Sequence, residues 1–349
     1  GKTNLTELAC FKSFNTVNGF SSLGGYVLCP WNIKEDPSGS STGSAVSVSL
    51  RLAPVSIGTE TGGSIMSPSM KNGVVGLKPT IGFTSRKGIV PISSSLDIPG
   101  PMGTSVTDVA VLLSAIRGND PLDPITLTKE DTFVDYTTFL TKDSLQGTRI
   151  GIDKQGYDKL STERQKAFDD TCTVLQELGC ELVDNLSIVQ TKLIYHVMKY
   201  EFKNQINHYF HKENLSITLQ DIVAYNQLHE KDNLKYGQEV LLDALNHTSG
   251  RMNEVEYIDA LQERTDATNA LKQVFEDHKL DMIYFASYTS LGPHCGFPTM
   301  SIPLGLDEEN MPIGTYFLAP HFKEETLLKI AYQLEQKIHI TLDPIAEKN

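Results

Sequence analysis

The first third of the chain carries short apolar runs that are interrupted by glycine and proline. Residues 52–57, 73–77 and 88–92 are three such runs. Short β-type runs broken by Gly and Pro are typical of buried strands joined by tight loops. Two other segments have helical spacing, because small residues fill 45–52 and apolar residues recur over 105–117. The pattern therefore predicts strands and helices in close packing.

The remaining two thirds of the chain alternate between strand and helix patterns after a polar connector. After a connector over 120–147, we predict strands over 147–152 and 180–186, with a helix over 162–178 between them that ends at Gly179. Residues 190–280 are predicted to be mostly helical, with the clearest pattern over 253–275. Strands over 281–286 and 299–303 and a last helix over 324–337 complete the prediction. Strands interleaved with helices indicate an α/β protein.

Composition and charge exclude several classes of protein. With 349 residues, 40% hydrophobic and 21% charged, the chain can bury a core and is not a disordered chain. A formal net charge of −13 disfavours nucleic-acid binding, because nucleic-acid binders present basic faces. No apolar run reaches the roughly 18 residues of a membrane helix. The five cysteines form no CxxC pair, so we expect neither a disulfide framework nor a zinc site, and a reducing, cytoplasmic location.

The candidate chemistry is concentrated in a Gly/Ser-rich stretch over residues 37–103. Thr61, Gly62, Gly63 and Ser64 follow one another there. Two glycines let the backbone turn so that successive N–H groups point into one concavity, which can hold a negative oxygen. A serine hydroxyl at the end of such a nest can attack a carbonyl carbon, which is the minimum equipment for acyl transfer. A tight turn or a phosphate-binding loop would use the same residues, and the segment alone leaves these interpretations open.

A second serine cluster, Ser40 and Ser41, lies in the same stretch, with Ser40 placed 24 residues before Ser64. Ser41 also satisfies the G-x-S-x-G pattern of a nucleophile elbow. That elbow needs a strand directly before it, whereas residues 32–37 are polar and end in proline. We therefore treat the elbow match as accidental.

The choice of a general base is restricted by where the titratable residues lie. All nine histidines lie at or beyond His196, so the Gly/Ser-rich stretch contains none. Lys71, Lys78 and Lys87 could in principle serve as bases. A strand end for Lys78 and surface loops for the other two are the simpler interpretation.

Taken together and at this spacing, the two serine clusters resemble the amidase signature family. The resemblance is dense over residues 1–118, recognisable over 281–337 and loose between them. The further motifs that carry it lie at residues 1–7, 30–32, 73–80, 88–91, 93–101, 296–303 and 312–314.

The resemblance implies a fold and a domain plan. Members of the family share one α/β/α domain built on a large mixed β-sheet, which helices cover on both faces. Residues 1–349 would then form one such domain that lacks its N-terminal part. Within it we expect a catalytic core over 1–120, a variable and mostly helical region over 121–280, and strands and a helix that return to the core over 281–349.

The resemblance also implies a Ser–cisSer–Lys triad that hydrolyses amides. Ser64 matches the nucleophile. Ser40 matches the bridging proton relay, which implies a cis peptide bond there and a Ser40 hydroxyl within hydrogen-bond reach of the Ser64 hydroxyl. The remaining matches are the oxyanion-hole N–H groups of Thr61, Gly62, Gly63 and Ser64, and the supporting residue Ser41.

The lysine of that triad lies upstream of the motif at residues 1–4 in the family. Lys2 does not match it, so the catalytic lysine is assigned to no residue of this chain. We expect that the front of the protein is omitted from the chain, and an inactive protein is the alternative.

Four residues depart from the family pattern near the serine clusters. Ser38 and Thr42 stand where glycine is usual, and Glu60 replaces an aspartate. Met66 replaces an arginine that commonly follows the nucleophile by two positions. The change at Met66 removes a fixed charge next to the site, which bears on substrate preference.

We expect a standalone amidase that hydrolyses a small-molecule linear carboxamide to a carboxylate and ammonia or an amine. No cofactor, metal, nucleic acid or membrane partner is expected, and a homodimer is one option for its assembly. Two alternatives stay open: the amidase subunit of a tRNA-dependent amidotransferase, and a non-catalytic binding protein with the same fold. No role is assigned to His294 and Cys295. Five aromatic residues could line a substrate channel, although packing in the core is the favoured interpretation. They are Tyr195, Tyr200, Phe202, Tyr209 and Phe210.

Overall fold

The structure is a computed structural model that describes residues 1–128 and 132–344. The helices of these residues are α1 Thr42–Ser49, α2 Met66–Asn72, α3 Val106–Ile116, α4 Thr162–Glu177, α5 Ile194–Lys212, α6 Leu219–Leu228, α7 Glu230–Asn233, α8 Glu239–Asn246, α9 Val255–His278, α10 Leu291–Cys295 and α11 Glu324–Ile338. The strands are β1 Phe20–Ser21, β2 Gly25–Tyr26, β3 Val55–Glu60, β4 Val75–Lys78, β5 Ile98–Gly103, β6 Arg149–Asp153, β7 Glu181–Val183, β8 Met282–Phe285, β9 Thr299–Ser301, β10 Pro303–Leu306, β11 Pro312–Gly314 and β12 Phe317–Leu318.

A mixed eight-stranded sheet forms the centre of the fold, with the strand order β3-β5-β4-β9-β12-β8-β6-β7. Neighbouring strands run antiparallel from β3 across to β8. The pairs β8–β6 and β6–β7 are parallel. Two small antiparallel pairs, β1–β2 and β10–β11, lie outside this sheet. The large mixed sheet expected from the sequence is therefore confirmed.

Helices cover both faces of the sheet, and strand β8 shows how the faces are divided. Successive side chains of a strand point to opposite faces. Met282 and Tyr284 join an apolar cluster with side chains of α3, α4 and α11. Ile283 and Phe285 join a second cluster with side chains of α1, α2, α9 and α10. The α/β/α layering is thus confirmed, and the fully apolar strand reflects burial on both sides.

Local signals in the sequence agree with the structure in three helices, and the glycine after α4 stands where it was predicted. The side chain of Ser105 accepts a hydrogen bond from the Asp108 N–H and caps the start of α3. Helix α4 ends at Glu177, and Gly179 follows with a φ of +96°. The apolar stripe of α11 is buried as its spacing requires: Leu327, Leu328, Ile330, Ala331 and Leu334.

In the Gly/Ser-rich stretch, one strand prediction was wrong and one strand was missed. Residues 88–92 form a loop, in which the Ile92 N–H donates to the Asp97 carboxylate instead of to a neighbouring strand. Strand β5 was not predicted, because Pro99, Gly100 and Pro101 are residues that normally argue against a strand. It nevertheless pairs with β3 over its whole length and with β4 at its end.

Other elements also differ from their predicted bounds or content. The helix predicted over 45–52 begins earlier, as α1, and ends at Ser49. The strand predicted over 299–303 is divided into β9 and β10. The predicted connector over 120–147 holds two short 3₁₀ helices, Pro124–Thr128 and Tyr136–Phe139, and its residues 129–131 lie outside the described residues.

The predicted helical region contains α5 to α9, which build a core of their own. Phe202 and Ile206 of α5 pack with apolar side chains of α6 and α8. Tyr200 packs beside Tyr257 of α9. The structure therefore places Tyr200 and Phe202 in the core, in agreement with the favoured interpretation. Within residues 1–128 and 132–344, no helix has the length and apolar character to cross a membrane.

Candidate active site

Ser64 lies in the short turn between strand β3 and helix α2. Ser64 is partly exposed, and Gly62 is exposed beside it. Gly63 has a φ of +109°, which side-chain-bearing residues rarely adopt. The turn therefore places Ser64 at a partly exposed position, next to a glycine in a conformation that favours glycine.

The buried carboxylate of Glu60 is hydrogen-bonded to the backbone of this turn. Its side chain is 1% exposed, and its Oε2 accepts hydrogen bonds from the N–H groups of Ile65 at 2.8 Å and Met66 at 3.0 Å. Burial raises the pKa of Glu60, while the positive charge of Lys78 and the backbone N–H donors act in the opposite direction. Glu60, which precedes Thr61, thus fixes the backbone of Ile65 and Met66, which follow Ser64. The sequence analysis did not assign this role to Glu60.

The two serine clusters meet through the backbone. The Ser41 N–H donates to the Ser64 carbonyl oxygen at 3.2 Å. The Ser41 hydroxyl donates to the Thr59 carbonyl oxygen at 2.9 Å and accepts from the Thr59 N–H at 3.0 Å. Ser41 therefore ties the start of α1 to strand β3, next to Ser64.

Ser40 is fully buried, and the Gly39–Ser40 peptide bond is cis. The Ser40 hydroxyl makes no hydrogen bond to any residue that the structure describes. The expected hydrogen bond between the hydroxyls of Ser40 and Ser64 is therefore not formed in this structure.

The departures from the family pattern are accommodated locally. Ser38 adopts a φ of +61°, the left-handed region that favours glycine. The Thr42 hydroxyl donates to the Ser38 carbonyl oxygen at 2.7 Å, so the two replacements are bonded to each other. Met66 is fully buried in the apolar cluster that contains Ala45 and Val48 of α1. A buried apolar side chain thus stands two positions after Ser64.

Two side chains that the sequence analysis did not single out contact the nest. The Tyr288 hydroxyl donates to the Gly62 carbonyl oxygen at 3.0 Å. A Cβ at Gly62 would lie 3.6 Å from the Cδ1 of Ile194, at the start of α5. No motif marks either position, because Tyr288 belongs to the loop after β8 and Ile194 to the variable helical region. The helical region therefore reaches the exposed side of the nest.

Thr61, at the start of the nest, is held by Asp97. The Thr61 hydroxyl donates to Asp97 Oδ1 at 2.6 Å. Burial raises the pKa of Asp97 to about 6, against the hydrogen bonds that it accepts from Thr61 and from the N–H groups of Ser93 and Ile92. The motif at 93–101 thus places a carboxylate directly behind the nest.

The three candidate lysines occupy different environments. Lys71 belongs to α2 and pairs with Glu35 at 3.1 Å, whereas a surface loop was predicted. Lys87 pairs with Glu213 at 2.5 Å. Lys78 ends strand β4 as predicted, but it is fully buried, and burial lowers its pKa to about 8 despite the nearby charges of Glu60 and Glu324. The Lys78 ammonium donates to the Pro79 carbonyl oxygen at 2.8 Å.

The loop before β9 forms the short helix α10, which buries His294 and Cys295. Burial lowers the pKa of His294 to about 4 and raises that of Cys295 to about 11. No group of three or more His, Cys, Asp or Glu side chains in the described ranges is arranged to hold a metal ion.

Comparisons with known proteins place this geometry in a family. The model of the family described as Amidase matches residues 1–328. A protein of Arabidopsis thaliana named as a probable amidase is 37% identical, over 99% of this chain and 68% of its own length. A glutamyl-tRNA(Gln) amidotransferase subunit of Halothermothrix orenii is 31% identical, over 97% of this chain and 75% of its own length.

Solved structures show the same relationship. The native peptide amidase from Stenotrophomonas maltophilia superimposes with a TM-score of 0.92 at 35% identity, covering 99% of this chain and 74% of the other. A glutamyl-tRNA(Gln) amidotransferase subunit of Thermotoga maritima shares the fold, with a TM-score of 0.68 at 23% identity, covering 96% of this chain and 73% of the other. Since the family match spans most of its length, this chain belongs to the amidase signature family.

Proposed function

We propose that this protein hydrolyses a carboxamide C–N bond through an acyl-enzyme formed on Ser64. The observation that carries the proposal is the hydrogen bond from the Ser41 N–H to the Ser64 carbonyl oxygen. It joins the two serine clusters at a partly exposed serine in a glycine turn. Amide hydrolysis is the chemistry of the family, and the assignment of its steps to particular residues is our proposal.

The proposed reaction begins when the Ser64 oxygen attacks the amide carbonyl carbon. The carbonyl oxygen gains the negative charge and is held by the N–H groups of Thr61, Gly62 and Gly63, together with that of Ser64. The proton of Ser64 passes through the Ser40 hydroxyl to a base and returns to the leaving nitrogen as the C–N bond breaks. Water then attacks the acyl-enzyme, which releases the carboxylate and restores Ser64.

The state of Ser40 supports its proposed role as a relay. A hydroxyl can donate one proton and accept another, so it can pass a proton on. The Ser40 hydroxyl is buried, and no described residue engages it in a hydrogen bond. Catalytic hydrogen bonds in unliganded enzymes are often long and tighten only when substrate binds. The base of the family is a lysine, which we assign to no residue of this chain.

A standalone amidase is favoured over a partner-dependent amidotransferase component. The peptide amidase fits this chain with a TM-score of 0.92, against 0.68 for the amidotransferase protein of Thermotoga maritima. The Stenotrophomonas enzyme is named for peptide amides, which makes an amidated peptide a reasonable first substrate to test. A protein that depends on partners would instead co-purify in a complex. The expectations of no cofactor and a cytoplasmic location remain part of this proposal.

The decisive experiment replaces the proposed nucleophile in the full-length protein. We expect Ser64→Ala to abolish ammonia release from a simple aliphatic amide and from an amidated dipeptide, while the far-UV spectrum and thermal unfolding stay unchanged. Ser144→Ala, at an exposed serine of the connector, is the matched control and should retain full activity. A Ser64→Ala rate within roughly tenfold of wild type would remove Ser64 from the nucleophile role.

A further inference from the structure

A loop that we call the serine loop, residues 92–97, connects the nest to the helical region. Ser93 and Leu96 are 0% and 1% exposed, so the loop runs through the interior. Two carboxylates, one at each side, account for most of its hydrogen bonds. Asp97 belongs to the loop itself, and Glu201 reaches it from α5.

Asp97 connects the serine loop to the oxyanion segment. Its Oδ2 accepts from the N–H groups of Ile92 at 2.8 Å and Ser93 at 2.9 Å, which closes the loop on itself. Its Oδ1 accepts from the Thr61 hydroxyl at 2.6 Å. One carboxylate therefore fixes both the loop and the residue whose N–H begins the proposed oxyanion hole.

Glu201 holds the other side of the serine loop. It is fully buried and accepts hydrogen bonds from five donors. These are Ser93 Oγ at 2.7 Å, Ser94 Oγ at 3.2 Å, Ser95 N at 3.0 Å, Ser95 Oγ at 2.5 Å and Tyr257 Oη at 2.9 Å. A buried carboxylate is costly unless it is fully hydrogen-bonded, and this degree of saturation makes the loop geometry specific.

Two arginines complete the support of the same loop. The Arg86 guanidinium donates to the Ser94 carbonyl oxygen at 2.5 Å, and that of Arg264 donates to the Ser95 carbonyl oxygen at 3.1 Å. Arg86 also pairs with Asp123 at 2.7 Å. Both carbonyls at the tip of the loop therefore have cationic donors, which offset the negative charges of the two carboxylates.

We propose that Asp97 and Glu201 are positioning residues for oxyanion stabilisation, an inference that rests on the proposed function. Glu201 fixes the serine loop, the loop fixes Asp97, and Asp97 fixes Thr61. Neither carboxylate touches the substrate. The helical region thereby sets the direction of an oxyanion donor from a distance, because oxyanion donors act only when they are held in place before the charge develops.

The test is a double-mutant cycle on the hydrogen bond between Thr61 and Asp97, measured on the full-length enzyme with an amidated dipeptide. We expect Thr61→Val and Asp97→Asn each to lower kcat by roughly 10- to 100-fold, with KM within about threefold of wild type. Because the Thr61 hydroxyl acts through Asp97, the double variant should be no slower than the slower single variant. Thr61→Ser, which restores the hydroxyl, should recover most of the rate.

Controls separate positioning from a loss of folding. Thr171→Val removes another buried threonine hydroxyl, which donates to the Ala167 carbonyl oxygen in α4 on the other face of the sheet, and it should leave kcat unchanged. Glu201→Gln, a near-isosteric change, should lower kcat without changing KM. If Asp97→Asn unfolds, Thr61→Val and Thr61→Ser still decide the question, since they change only the hydroxyl side of the bond.

The possible outcomes distinguish this inference from the proposed function. An active Ser64→Ala enzyme would overturn the proposed function and this inference with it. If Ser64→Ala is inactive, additive losses in the cycle, an unchanged kcat in Thr61→Val, or a change confined to KM would overturn the positioning role alone.

Discussion

The Tyr288 hydroxyl donates a hydrogen bond to the Gly62 carbonyl oxygen at 3.0 Å. The Gly62 carbonyl and the Gly63 N–H belong to one planar peptide unit and point in opposite directions. Fixing the carbonyl therefore also fixes the Gly63 N–H, which is one of the backbone N–H groups that act to lower the pKa of Glu60. Tyr288 thus orients the Gly62–Gly63 peptide unit from the side opposite to Glu60.

We predict that Tyr288→Phe lowers kcat by roughly tenfold and changes KM little. A neutral hydrogen bond is worth about 1 kcal/mol, and its loss frees the Gly62 peptide without removing the aromatic ring. Steady-state kinetics on an amidated dipeptide measure the effect. Tyr157→Phe, which removes an exposed hydroxyl bonded to Asp169, is the control and should have wild-type kinetics. Equal kcat values for Tyr288→Phe and wild type would refute the orienting role.

The two glycines of the nest should respond differently to alanine. A Cβ at Gly63 would lie 2.6 Å from the Tyr288 hydroxyl oxygen, and the φ of +109° is unfavourable for alanine. A Cβ at Gly62 would meet only the Cδ1 of Ile194, at an ordinary 3.6 Å. We predict that Gly63→Ala abolishes turnover, whereas Gly62→Ala retains a rate within roughly tenfold of wild type.

The pair of alanine variants serves as its own control. Both changes add one methyl group to the same turn, so a difference between them reports local geometry and not composition. Ammonia release and thermal unfolding should be measured for both. Equal activity of the two variants, or a more damaging change at Gly62, would contradict the described turn.

Periodicity in the sequence predicted the layers of the fold better than its irregular strands. Helices α3, α4 and α11 carry apolar stripes, and α3 and α4 also begin at a capping serine, so local signals suffice to locate these helices. Strand β5 contains two prolines and two glycines, so its local preference opposes its state. Its pairing with β3 overrides that preference, and the partners of a strand are not visible in its own residues.

The candidate site also contains residues that the sequence indicated and residues that it did not. The serines and glycines of the nest were found because a glycine-rich segment before a serine is visible as a local pattern. Tyr288 and Glu201 were missed because they reach the site from segments far along the chain, with no motif around them. Only the fold brings the loop after β8 to Gly62 and helix α5 to the serine loop.

Ser40→Ala separates a relay from a packing role. The Ser40 hydroxyl forms no hydrogen bond with the described part of the chain, so its removal should change the free energy of unfolding little. A proton relay is worth roughly 10²- to 10⁴-fold, so we predict a loss of that size in kcat with KM less affected. The loss should be smaller than for Ser64→Ala, because water can partly replace the hydroxyl. Full activity of Ser40→Ala would exclude the relay.

His294 is a buried titratable group whose ring nitrogens lack hydrogen-bond partners among residues 1–128 and 132–344. Burial lowers its pKa to about 4, although the Glu263 carboxylate, 3.7 Å from Nε2, favours the charged form. The nearby charge of Arg264 adds to the lowering. An unfolded histidine titrates near pH 6.5. Between about pH 6.5 and 4, the unfolded state therefore has a protonated His294 while the folded state has a neutral one.

This difference in proton binding makes the free energy of unfolding depend on pH. Above about pH 6.5 His294 is neutral in both states and contributes no pH dependence. As the pH falls from about 6.5 to 4, the unfolded state is favoured progressively, by at most roughly 3 kcal/mol. His294→Leu should therefore flatten the pH dependence of the free energy of unfolding in this window, measured by urea denaturation at several pH values. His211→Gln, at an exposed histidine, is the control for loss of an imidazole. A His294→Leu profile parallel to that of wild type would show that the folded protein accepts the proton as readily as the unfolded chain.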